Sequence, residues 1–314
     1  MARKRPLTMA MARSLHKHLD IPAESLIQPA TTPMELPLTP LDVDSFPLAE
    51  MASFGWIAPV SEVEVEAHEL IDDLYTRAFG ISPAENPGAM VAMGSWGEHA
   101  NPAAIQAWCL QAAAAAHASP LANAFVPGVV TPAFLHAVAR LSVVDDGPRL
   151  AQAHLAEHGI SLQIVPQLPG THLDGAVLWP MGSYPVIALT LREDRLARFW
   201  NGLLHELAHL GLHAKLGAAG FLDDLDLPAI DPLEQQAEEW AREALIPSKA
   251  WDAWMIQTVH TEADVASFAA ELGIHAMIVA ERLREESNDR RRFPRLVGKG
   301  LVGPLFGVPS SAQA

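Results

Sequence analysis

Cysteine is almost absent: the 314-residue chain has one, Cys109. That excludes an internal disulfide and a thiolate metal cage, fits a reducing compartment, and reads as a core residue rather than a reactive thiol. Positive charge is also scarce, with 21 Lys and Arg against 37 Asp and Glu and a formal charge of −16. Nucleic acid is held by clustered basic side chains, so the body of the protein is not such a surface, and any contact of that kind is local. Long apolar runs are missing too. No segment reaches the roughly twenty apolar residues that cross a bilayer. Arg3, Lys4 and Arg5 are followed by alternating polar and apolar residues rather than by the apolar stretch of a signal peptide. The expectation is a cytoplasmic protein with no membrane partner. What the chain does have is apolar mass: half of its residues are hydrophobic, enough for one large core or two modest ones.

The order of elements follows from periodicity and punctuation. Residues 7–20 carry Met9, Ala12, Leu15 and Leu19 at helical spacing behind Thr8, and Pro22 restarts a short turn. Six prolines between Pro22 and Pro47 predict an extended linker. Helices are predicted over 62–78 and 103–118, the second alanine-rich and closely packed. Another helix ends at Gly159, and strands are predicted over 160–165, 176–179 and 185–190, the last two joined by a turn at Met181-Gly182-Ser183. Helical period resumes over 195–215 and recurs over 232–245, 248–257, 261–272 and 274–286. Helices, a small sheet and more helices define an α+β fold, mostly helical, with an antiparallel or mixed sheet beside the 195–215 helix.

That helix contains His205-Glu206-Leu207-Ala208-His209. Residues four apart on a helix share a face, so His205 and His209 can direct two imidazoles at one ion while Glu206 reaches a water beside it. This is the working content of HExxH, in which zinc acidifies a water and the carboxylate takes its proton. The leucines around the motif predict a buried helix, where a charged Glu between two His is costly unless paired or metal-bound. His213 extends the spacing to i, i+4, i+8, but lies roughly 12 Å along the axis from His205, too far to share its ion. A third ligand must come from elsewhere, and Asp223, Asp224, Asp226, Asp231 and Glu234 are the acids near in sequence. Tyr184 and His172 are candidates to stabilise an oxyanion, and a peptide substrate is expected to add as a strand beside the sheet around 176–190.

Residues 234–247, EQQAEEWAREALIP, resemble the E-x-E-A-(N/D)-x-(F/L)-A-x-x-x-L-(M/I)-P signature of ImmA/IrrE-type metallopeptidases. The resemblance implies that Glu234 is the third zinc ligand, with His205 and His209 as the others and Glu206 as catalytic base. Gln236 stands where the signature has its second Glu, and Glu238 where it has Asn or Asp. Segments 168–176, 185–209 and 268–286 look like the longer members, in which the peptidase is fused behind an XRE-type helix-turn-helix domain. Residues 3–27 resemble the end of such a domain, from just after the recognition helix. The implied organisation is a helix-turn-helix remnant (1–28), a Pro-rich linker (29–50), a helical region (51–145) and a metallopeptidase domain with C-terminal helices (146–314). The implied activity is a zinc-dependent endopeptidase of regulatory type acting on a protein such as a repressor or antitoxin. With the recognition helix missing, specific DNA binding is not expected. The competing reading is a non-catalytic DNA-binding regulator or antitoxin that retains a metal site.

Overall fold

The computed structural model describes residues 45–59, 64–85, 93–95, 100–180, 184–213, 220–223, 232–256 and 260–308. The chain divides into two compact units, Met1–Met34 and Glu35–Ala314; the first lies wholly outside the described residues, as do the helix expected over 7–20 and most of the expected linker.

In chain order the second unit forms α1 (Leu48–Ser53), α2 (Glu64–Phe79), β1 (Met93–Ser95), α3 (Pro102–Ala118), α4 (Pro132–Arg140), α5 (Gly147–Glu157), β2 (Ser161–Ile164), β3 (Gly175–Leu178) and β4 (Val186–Leu189). It continues with α6 (Leu196–His213), β5 (Gly220–Asp223), α7 (Pro232–Leu245), α8 (Ser248–Trp254), α9 (Glu262–Leu272) and α10 (Ala276–Glu286). The fold is α+β and mostly helical, as the alternation of periods implied. Four elements lay outside that reading: α1, whose first residues fall in the stretch expected as an extended linker, α4, and the strands β1 and β5.

The five strands form one mixed sheet in the order β1-β5-β3-β4-β2. β3 runs antiparallel to both β4 and β5, while β2 pairs parallel with β4 and β1 parallel with β5. The residues 181–183, expected to form a turn, lie outside the described residues, but the register Gly175↔Leu189 to Leu178↔Val186 is that of a hairpin pair. The strands of 176–190 are interior, flanked by β5 on one side and β2 on the other, so among the described residues the edges of the sheet belong to β1 and β2.

Side chains alternate across the sheet and feed two cores. Val177, Ile187 and Leu189 face α6 together with Leu203, Leu204 and Leu207. Ala176, Leu178, Val186, Ala188 and Leu222 face the opposite way, against α2 and α3. α3 is apolar all round because it is covered all round, with Ile105, Trp108, Cys109 and Leu110 each buried. Its alanines allow that close packing. Asn101 caps it by accepting from the Ala103 and Ala104 amides, and the Trp108 indole donates to Val165 O just beyond β2, at 3.3 Å. Burying a large aromatic of this kind contributes roughly 1.5–3 kcal/mol.

The N-terminal end of α6 is pinned from far along the chain. The buried Asp194 carboxylate accepts from the Val302 and Gly303 amides at 3.0 and 3.1 Å, and the Leu196 amide donates to Gly298 O. Among the described residues no single helix is long and apolar enough to cross a membrane.

Candidate metal centre

α6 is buried along most of its length, and it carries His205, Glu206, His209 and His213 with it, none more than 5% exposed. It starts at Leu196 and runs unbroken to His213, so the i, i+4 geometry inferred for the motif holds. α7 packs beside it and presents Glu234 from its first turn. Gly211 lets the segment before α4, and the Trp240 ring of α7, lie close against α6. A Cβ there would stand 2.9 Å from Val130 O and 3.2 Å from the Trp240 ring.

Three donor atoms converge. His205 Nε2 and His209 Nε2 are 3.0 Å apart, and Glu234 Oε2 lies 3.3 Å from the first and 3.4 Å from the second. Tetrahedral ligands at bond lengths of about 2.0–2.1 Å are separated by about 3.3–3.4 Å, so the triangle has the edge lengths of three corners around one small divalent ion. Two imidazoles and a carboxylate suit a transition ion better than calcium or magnesium. The residues present therefore fit a metal, and His205, His209 and Glu234 form the one such group among the described residues. Burial works to raise the Glu234 carboxyl, but hydrogen bonds and charge from His209 and His205 outweigh it and hold the group well below the usual carboxylate range. It is an anion, ready to ligate.

Glu206 sits on the same helix but is held separately, against the start of β3. A Cβ on Gly175 would lie 2.3 Å from Glu206 Oε1, so the carboxylate occupies the space that a side chain there would take. Phe221 of β5 covers the histidines, stacked on the His209 ring at 5.0 Å between centroids and 5.7 Å from the His213 ring. His213 is not among the converging donors; its Nδ1 lies 3.0 Å from His209 Nδ1.

The structure thus brings together His205, His209 and Glu234, with Glu206 beside them. It gives other work to Tyr184, whose hydroxyl donates to Ala116 O at 3.0 Å on the α3 side of the sheet. His172 is an exposed residue with φ of 53° in the loop before β3. Of the other acids considered, Asp223 ends β5, and Asp224, Asp226 and Asp231 lie outside the described residues. Gly175 and Phe221 were missed in the sequence. Gly175 had a signal, since a glycine opening an otherwise apolar strand marks a close approach. Phe221 had none.

A helix-borne HExxH pair completed by an acid from the next helix is the arrangement of a metallopeptidase-type centre. Residues 156–284 match a family model of the same kind, peptidase M78, described as the IrrE N-terminal-like domain. The match runs from the end of α5 to α10 and contains the whole site. Among curated proteins, none matches the chain.

Proposed function

We propose that this chain is a zinc-dependent endopeptidase of regulatory type, which hydrolyses a peptide bond in a protein partner such as a repressor or antitoxin. The observation that carries the reading is the convergence of His205 Nε2, His209 Nε2 and Glu234 Oε2 at 3.0–3.4 Å, with a buried carboxylate on the same helix left outside that triangle. Zinc bound there would supply a Lewis acid to polarise the scissile carbonyl and acidify the attacking water. His205 and His209 of α6 and Glu234 of α7 would hold it. Glu206, seated over Gly175, takes the proton from the water and passes it to the departing amine. A purely structural ion has no use for Glu206, which favours hydrolysis over a silent metal site. The regulatory role and the choice of partner rest on the resemblance to longer chains in which this peptidase follows a helix-turn-helix domain, residues 3–27 resembling the end of one.

The test is metal content and cleavage together. Purified wild type should hold about one zinc per chain. Glu234→Ala should lose it. Glu206→Gln should keep it while cleavage of a protein substrate falls by on the order of 10²–10⁴. A wild type without zinc, or a Glu206→Gln protein that still cleaves, removes the reading.

A further inference from the structure

We infer that His213 is a positioning residue for the metal centre: it fixes the His209 imidazole in the tautomer and orientation that metal binding needs, and Gln236 steadies His213 in turn. The inference rests on the metal reading of His205, His209 and Glu234.

Both ring nitrogens of His209 are engaged. Nε2 faces His205 Nε2 and Glu234 Oε2, and Nδ1 lies 3.0 Å from His213 Nδ1. A neutral imidazole has one proton, and a metal needs the Nε2 lone pair, so the proton belongs on His209 Nδ1. A contact between two ring nitrogens at 3.0 Å holds only one proton. His213 Nδ1 is therefore the acceptor, and His213 keeps its own proton on Nε2. That atom lies 3.5 Å from Gln236 Oε1, at the outer limit of hydrogen bonding, and an amide oxygen can only accept. The direction of every link is thus set from the ion outwards, from α6 to α7.

The reverse assignment fails at the ion. If His213 donated to His209 Nδ1, the proton of His209 would sit on Nε2, where the metal must bind. Water is a poor substitute for His213, which is 3% exposed, and Phe221 packs over the His209 face and limits rotation of the ring. This also gives a purpose to the i+8 histidine of the motif. It is one turn too far from His205 to ligate, but it lies one turn from His209, within reach of the nitrogen that does not ligate. Metal-ligating imidazoles commonly need such a partner on the far nitrogen.

The deciding comparison is His213→Asn against His213→Leu in the full chain. The two side chains have nearly the same shape, but Asn offers an oxygen close to the position of Nδ1 and Leu offers no acceptor. Zinc affinity is read by competition with a chromophoric chelator, and thermal unfolding of the metal-free proteins reports packing separately. His213→Leu should bind zinc about tenfold to a hundredfold more weakly than wild type, while His213→Asn stays within about threefold. Equal affinities for the two variants overturn the inference while leaving the metal centre standing. A wild type that takes up no zinc overturns both. Should His213→Leu fail to fold, Gln236→Glu at its exposed position gives the same decision. A carboxylate facing His213 Nε2 makes the His209 ring a stronger ligand, so zinc should bind more tightly, and an unchanged affinity refutes the relay.

Discussion

Gly175→Ala isolates the seat of the proposed base without touching a metal donor. The added methyl group would meet Glu206 Oε1 at 2.3 Å and Leu189 Cδ2 at 2.9 Å. Cβ atoms do not stand that close to other heavy atoms, so the Glu206 carboxylate must retreat by the better part of an ångström. β3 cannot give way instead, because it is hydrogen-bonded to strands on both sides. Misplacing a catalytic group by about 1 Å costs on the order of a hundredfold in rate, and overpacking a core site costs about 1–3 kcal/mol in stability. Zinc content should be unchanged, since His205, His209 and Glu234 are not among the atoms that meet the methyl group most closely. The assay is a double-mutant cycle of Gly175→Ala and Glu206→Ala, read by denaturant unfolding and accompanied by zinc analysis. Removing the Glu206 side chain clears the nearer clash, so Gly175→Ala should cost at least about 1 kcal/mol less in the Glu206→Ala background. Additive costs, or full cleavage activity in Gly175→Ala, would refute the claim that this glycine exists to admit the carboxylate.

Two further outcomes follow from groups outside the centre. Burial pushes the Cys109 thiol up to about 12, so native protein at pH 8 should be inert to a maleimide and should take up one equivalent once unfolded in guanidinium. Because the folded value lies above the unfolded one, about 8.5, its contribution to stability is complete below that pH and is lost as pH climbs towards 12; labelling of the native protein at pH 8 would contradict the buried assignment. Asp194→Ala leaves the Val302 and Gly303 amides without their carboxylate and should cost about 3 kcal/mol in urea unfolding, with a loss under about 0.5 kcal/mol showing that the C-terminal segment does not pin α6.

The helices were legible where a long period met a clear end. Thr261 and Gly273 bracket α9 with a capping box and a left-handed C-cap, and Leu203, Leu204 and Leu207 mark the buried stripe of α6. α4 carried the right signals, a Thr131 cap and Pro132 at its first turn, but at nine residues it offered little period to read. β5 and β1 were not legible at all. β5 is four residues long, and it is a strand because β3 and β1 hydrogen-bond to it, a tertiary fact that local composition does not encode. The same gap hid the order of the sheet, since without β5 as a neighbour β3 looked like an edge. Within the site, the histidine pair was visible from spacing alone. Glu234 was one acid among five until the 234–247 signature singled it out. The seat of Glu206 required knowing that α6 crosses β3 at Gly175.

The four groups of the centre do not share one support, and this bears on how it can be controlled. His205, Glu206 and His209 ride on α6, which is tied at its start to Asp194, Gly298 and Gly303 and at its end through His213 to α7. Loosening that helix disturbs the core on its side of the sheet and the C-terminal segment together, a change far costlier than a local shift of one helix end. Glu234 is the exception. It comes from a different helix, it stands in that helix's first turn, where intrahelical hydrogen bonding is incomplete, and its side chain is the most exposed of the three donors at 13%. A site left with two histidines holds a metal ion less firmly than one closed by a carboxylate, so under the proposed metal reading a small displacement of the start of α7 would release the ion at little cost to the fold. If the peptidase is switched by a partner or a ligand, the physically inexpensive lever is the position of Glu234, not the histidine pair.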